Sequence, residues 1–234
     1  MVDLSRMEYL IGKENLDRIR TKRVLVCGVG GVGSFVAEAL CRSGIGYMTL
    51  WDYDVVEPSN LNRQLMSAKD NIGQRKVEVL KMRLESVSDT KINTVDSFIS
   101  EGFKLDKDYD YVIDCIDTLT SKFILVKECH RKGAPVISSL GSARRLKPEK
   151  ITLTSLDKTR NDPLAKAFRS LVKKEGYRHK IEVVFVDTPI QGTMIEKEGN
   201  TNKEKYPLGS SIFTVGSVGL YIASVVYERL MKEE

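Results

Sequence analysis

The 234-residue chain is 41% hydrophobic and 29% charged, with a net charge of +5; this excludes a disordered or low-complexity polypeptide and leaves room for one large core. Residues 1–23 are polar rather than an apolar run behind a basic start, which argues against a secretory signal. Four scattered cysteines, Cys27, Cys41, Cys115 and Cys129, form no C-x-x-C pair, so buried reduced thiols in a cytoplasmic protein are expected rather than disulfides or structural zinc.

A helix is predicted from about Arg6 to Arg20, then a strand from Arg23 to Gly28 and a helix from Val32 to Arg42. A second strand, Tyr47 to Asp52, leads into a long polar loop, and a helix begins near Gly73 and continues to about Val87. Strands follow at Ile92 to Asp96, Tyr111 to Cys115 and Pro135 to Ser139, with a helix between the last two. This alternation predicts a Rossmann-like α/β fold, a mostly parallel sheet with helices on both faces and ligands at the strands' C-terminal ends. Ile151 to Leu156 and Ile181 to Val186 read as further strands flanking a helix that starts at Pro163 behind Asp162 as its cap. Residues 191–207, rich in Gly, Lys and Glu, predict a mobile loop. The uncharged stretch Ser211 to Tyr227 is shorter than the roughly 20 residues of a membrane span and rich in Ser and Gly, so it predicts a buried helix at a subunit contact, not membrane insertion. No internal repeat is present, and a single domain is expected, with a nucleotide-binding half (1–140) and a substrate-facing half (141–234).

The first strand ends at G-x-G-G-x-G, Gly28, Gly30, Gly31 and Gly33, a turn that brings backbone amides and a helix N-terminus to a phosphate-bearing ligand. Asp52 ends the second strand and suits a ribose, which NAD and ATP share. The residues that follow distinguish the two. Asn60, Arg63, Gln64 and Lys76 crowd the region after the second strand, and fixed cations serve a triphosphate rather than a dinucleotide.

With D-x-D (Asp52, Asp54), S-N-L-x-R-Q (Ser59 to Gln64), G-Q-x-K (Gly73 to Lys76) and D-C-x-D (Asp114 to Asp117), residues 6–140 resemble the ThiF/MoeB-type adenylating enzymes related to ubiquitin-activating enzyme. The resemblance implies ATP, with Asp52 on the ribose, Arg63 and Lys76 on the phosphates and Asp117 as a magnesium ligand. A carboxylate capping the next helix is the structural alternative for Asp117. It also implies a homodimer in which Arg6 reaches the neighbouring protomer's ATP site.

The second half must decide whose carboxylate is adenylated. Arg144 to Lys180 holds 12 Lys or Arg against 4 Asp or Glu, a basic block on an otherwise mildly acidic chain, and so the expected footprint of a polyanion. Arg144, Arg145, Lys158, Arg160, Lys166 and Arg169 are its candidate phosphate contacts; a merely solvated face is the alternative. Residues 155–176 resemble the K-T-x-x-D-P-L-A-x-x-x-R segment of bacterial tRNA threonylcarbamoyladenosine dehydratases, and residues 206–226 resemble their closing segment. That resemblance implies ATP-dependent cyclisation of threonylcarbamoyladenosine beside the anticodon of tRNA, and leaves a sulfur-transfer protein among the expected partners. Lys147 departs from the acidic residue expected before Pro148. The competing expectation is an adenylyltransferase acting on a ubiquitin-like sulfur carrier. His130 and His179 read as lone histidines without a role.

Overall fold

The computed structural model describes residues 2–192 and 208–232, so most of the loop expected at 191–207 lies outside the described residues. The chain opens with α1 (Ser5–Ile11) and α2 (Lys13–Thr21), where one helix was expected. Gly12 separates them at φ +81°, a conformation other residues rarely adopt, and the helix cannot pass through it.

Then come β1 (Arg23–Cys27), α3 (Gly31–Arg42), β2 (Tyr47–Trp51), α4 (Lys76–Glu85) and β3 (Lys91–Val95). They are followed by β4 (Tyr111–Asp114), α5 (Leu119–Lys132) and β5 (Val136–Ser139), and by β6 (Ile151–Ser155), α6 (Pro163–Lys174), β7 (Glu182–Val186) and α7 (Ile212–Met231). The helix expected to open at Gly73 starts three residues later, because residues 73–75 turn back to Val56 and bridge Val55.

One sheet of order β3-β2-β1-β4-β5-β7-β6 contains all seven strands found among the described residues. Its pairings are parallel except for β6, which runs antiparallel to β7 at the edge. The strands of the second half therefore extend the first half's sheet. Every residue of β4 and all but the first of β1 are buried, since helices cover both faces. The strand order reverses between β1 and β4, and at such a switch point the loops diverge and leave a crevice at the C-terminal ends.

α7 lies parallel to α3, with Val215 against Gly31 at one end and the Tyr227 hydroxyl donating to Ser43 O at the other. A Cβ on Gly219 would sit 2.6 Å from Val32 O, so the small residues of α7 bring it close to α3 within the same chain. Val218, Ile222 and Val226 seal the contact, each contributing about 1.5–3 kcal/mol by burial. The opposite face of α7 exposes Phe213 and Leu220. No helix among the described residues is long and apolar enough to cross a membrane.

Candidate nucleotide site and basic face

The turn after β1 can be made only from glycine. Gly28 has φ +82°, and a Cβ there would lie 2.7 Å from the Cys115 carbonyl; one on Gly33 would lie 1.9 Å from Gly28 O. Gly30 precedes α3 without any side-chain cap, so the first amides of α3 are left for a ligand at the strand edge. Two side chains of the loop after β2 border this turn. Gln64 Nε2 would be 3.6 Å from a Cβ on Gly30, and Arg63 Cγ 3.7 Å from one on Gly31. Gln64 is 7% exposed, yet its Oε1 has no hydrogen-bond partner. A buried amide oxygen left without a donor marks a place where a ligand group or water belongs.

Asp52, just past β2, accepts the Val29 amide on Oδ2 (2.8 Å) and the Asp54 amide on Oδ1 (2.9 Å). Burial raises its carboxyl above the ordinary value, partly offset by the Asp54 amide, Lys76 and the Val29 amide. Lys76 begins α4 and is itself buried, its Nζ 2.8 Å from Asp54 Oδ2. Tyr53 and Phe98 meet edge to face, 4.8 Å between centroids, as a half-exposed aromatic wall beside Asp52. No sequence signal marked that wall. Burial raises the Tyr53 phenol, and the carboxylates of Asp54, Asp117 and Asp52 raise it further.

Asp117 is exposed, and its Oδ1 accepts from Thr118 Oγ1 at 3.4 Å. The cap of α5 is Thr118, not Asp117, so Asp117 does not cap the helix. Asn60 accepts the Glu57 amide on its side chain at 3.1 Å and braces its own turn, while its carbonyl receives the amides of Arg63 and Gln64. Its Nδ2 has a long contact to Ser59 Oγ at 3.4 Å. Arg6 sits exposed on α1, a helix with no buried residue, next to Tyr9 and Leu10 at 79% and 77% exposure.

The basic block divides in two. Arg145 is 3% exposed and donates to the carbonyls of Val186, Ala143 and Asn161, so it cannot reach a phosphate. Arg169 is half-buried and donates to the carbonyl and hydroxyl of Thr159. Arg160 pairs with Asp187 at 2.7 Å, and Arg144, at φ +58°, donates to the carbonyls of Gln191 and Gly192. Arg145, Arg169 and Arg144 brace the chain, because each is folded back onto carbonyl oxygens, whereas Arg160, though paired with Asp187, keeps 76% of its side chain exposed. Lys158 and Lys166 remain exposed, joined by Lys147, Lys150, Lys173 and Lys174. Asp162 caps α6 through the Ala165 amide (3.0 Å) and also takes the Gly141 amide (3.0 Å).

The two histidines are not isolated. His130 stacks on Tyr177 with its Nδ1 at the phenol oxygen, and His179 lies 5.4 Å from it between centroids. A separation of 49 residues hid this cluster.

A model of the ThiF family matches residues 4–228. The chain belongs to the ThiF family. Among ThiF relatives, it is 38% identical to the tRNA threonylcarbamoyladenosine dehydratase of Bacillus subtilis (strain 168), over 98% of this chain and 94% of that one. It is 33% identical to the enzyme of the same name from Haemophilus influenzae, over 94% and 90%. A crystal structure of Escherichia coli tRNA N6-threonylcarbamoyladenosine dehydratase in complex with AMP superposes with a TM-score of 0.85 at 30% identity, covering 97% of this chain and 93% of that one. The same enzyme in complex with ATP gives 0.84 at 29%, with the same coverage.

Proposed function

We propose that this ThiF protein is an ATP-dependent tRNA threonylcarbamoyladenosine dehydratase. The observation that carries the reading is the conjunction, at one switch point, of a bare glycine turn, a ribose-type carboxylate and two cations, in a chain similar to that enzyme over nearly its whole length. The α3 amides and the Arg63 and Lys76 cations hold the phosphates, and Asp52 takes the ribose hydroxyls. The threonyl carboxylate attacks the α-phosphorus, pyrophosphate departs with its charge balanced by Arg63 and Lys76, and the carbamoyl group then attacks the activated acyl carbon and expels AMP. An intramolecular nucleophile is already at high effective concentration, so no cysteine is required. Burial pushes the Cys27, Cys115 and Cys129 thiols up, away from nucleophilic thiolates.

Magnesium fits the acids present. No group of three or more His, Cys, Asp or Glu among the described residues could hold a metal, whereas a hydrated magnesium ion needs only one or two carboxylates plus phosphates. Asp117 would hold it, beside Asp54, and bound there it neutralises phosphate charge. Arg6 and the exposed Tyr9, Leu10, Phe213 and Leu220 support a homodimer in which Arg6 serves the partner's site. The exposed lysines around α6 are the tRNA face. Incubating the protein with ATP and either unmodified or threonylcarbamoylated tRNA tests the reading: pyrophosphate release should require the modified tRNA. Release that requires a ubiquitin-like sulfur carrier instead would favour the adenylyltransferase.

A further inference from the structure

Lys122 is fully buried, one of the largest side chains so enclosed among the described residues. A buried ammonium is costly unless its donors are met, and here Nζ donates to Asp114 Oδ2 (2.8 Å) and Ser139 O (2.9 Å). Asp114 is equally buried. Its Oδ2 also accepts from Ser138 Oγ (2.6 Å), and its Oδ1 accepts the Ile116 amide (3.1 Å). The Lys122 amide in turn donates to Thr118 O (3.0 Å).

The short loop from β4 to α5 is thus held on both sides of Asp117: at Ile116 by the Asp114 carboxylate, and at Thr118 by the first turn of α5, which Lys122 ties back to Asp114. Among the described residues the Asp117 side chain has only the long contact to Thr118 Oγ1, so its placement comes from its backbone. A buried ion pair is often replaceable by apolar residues without loss of stability, so stability alone does not account for one here. We infer that Lys122 is a positioning residue, which through Asp114 fixes the loop that presents Asp117 to the metal–nucleotide complex. The inference rests on the magnesium reading of Asp117.

The test is the double variant Asp114→Asn with Lys122→Met, which removes both charges and conserves volume. Manganese binding in the presence of a non-hydrolysable ATP analogue is read by electron paramagnetic resonance, with amide exchange at Ile116 alongside. The double variant should melt within a few degrees of the parent, bind manganese about tenfold more weakly, as loss of a supporting contact around a metal ligand does, and exchange Ile116 faster. Asp117→Asn is the reference and should lose at least as much affinity. If Asp117→Asn loses manganese but the folded double variant does not, Lys122 is packing only and the inference falls. If Asp117→Asn binds as the parent does, the magnesium reading fails and takes the inference with it. Should the double variant not fold, Ser138→Ala, which removes one donor to Asp114, should weaken manganese about threefold; unchanged affinity overturns the inference.

Discussion

Replacing Lys158 and Lys166 together by Glu tests the division of the basic block directly. Both are exposed, one in the turn before α6 and one in its first turns. An acidic residue near a helix N-terminus is favourable, so Lys166→Glu should not cost stability. If four to six phosphates are neutralised, log affinity for tRNA falls against log salt with a slope of about −3 to −5, and each lost contact removes about 0.9. The double variant should therefore bind more weakly and flatten the slope by about 2. Arg145→Met should do the opposite. It takes a donor from the carbonyls of Val186, Ala143 and Asn161 and leaves the buried Asp162, 4.0 Å away, without its cation, together about 3 kcal/mol. At about 2–4 °C per kcal/mol for a chain of this size, the melting temperature should drop by roughly 6–12 °C. The salt slope of what remains folded should be unchanged. Filter retention at several salt concentrations, with melting followed by circular dichroism, reads both quantities. A flattened slope for Arg145→Met at normal melting temperature would refute the reasoning.

Arg63→Ala and Lys76→Ala should each leave a folded protein and slow pyrophosphate release about 100-fold, a loss of about 3 kcal/mol of charge stabilisation; near-normal turnover in both would sink their assignment. Asp52→Asn should weaken ATP binding and lower melting somewhat, because Asn offers one acceptor where the Val29 and Asp54 amides need two. Because the folded carboxyl lies above its ordinary value of 3.8, its contribution to stability is present at low pH and lost as pH rises through the folded value, so melting of the variant should gain on the parent above about pH 4. Glu128 has the opposite sign. Arg131 and the Leu105 amide hold it down to about 2 from 4.5, so its contribution is present above pH 4.5 and lost as pH falls toward 2. Glu128→Gln should cost about 3 kcal/mol at most at pH 7, with the difference vanishing by about pH 2 in urea unfolding.

Much of the fold could be read from the sequence because its signals are local. Apolar runs such as Val24 to Cys27 need no partner to be recognised as buried strand, and the glycines after them state a steric demand that Cys115 and Gly28 O then impose. Gly12 carried the same kind of signal, yet the helical pattern on either side of it dominated the reading. Charge was the least legible property. A cation counts the same in a sequence whether it faces water, as Lys166 does, or is enclosed by three carbonyls, as Arg145 is. Long-range pairs were invisible for a related reason. Lys122 looks like any helix lysine until the ends of β4 and β5 supply Asp114, Ser138 and Ser139, and the two histidines show no relation until Tyr177 joins them.

In the proposed reaction, ATP cleavage is coupled to closing a ring on one nucleoside of tRNA. The most direct measurement incubates threonylcarbamoylated tRNA with protein and ATP, digests it under mild conditions, and weighs the modified nucleoside by mass spectrometry. A nucleoside lighter by one water should form in step with AMP and pyrophosphate, and far more slowly with Arg63→Ala. An unchanged nucleoside mass while ATP is cleaved would contradict that coupling.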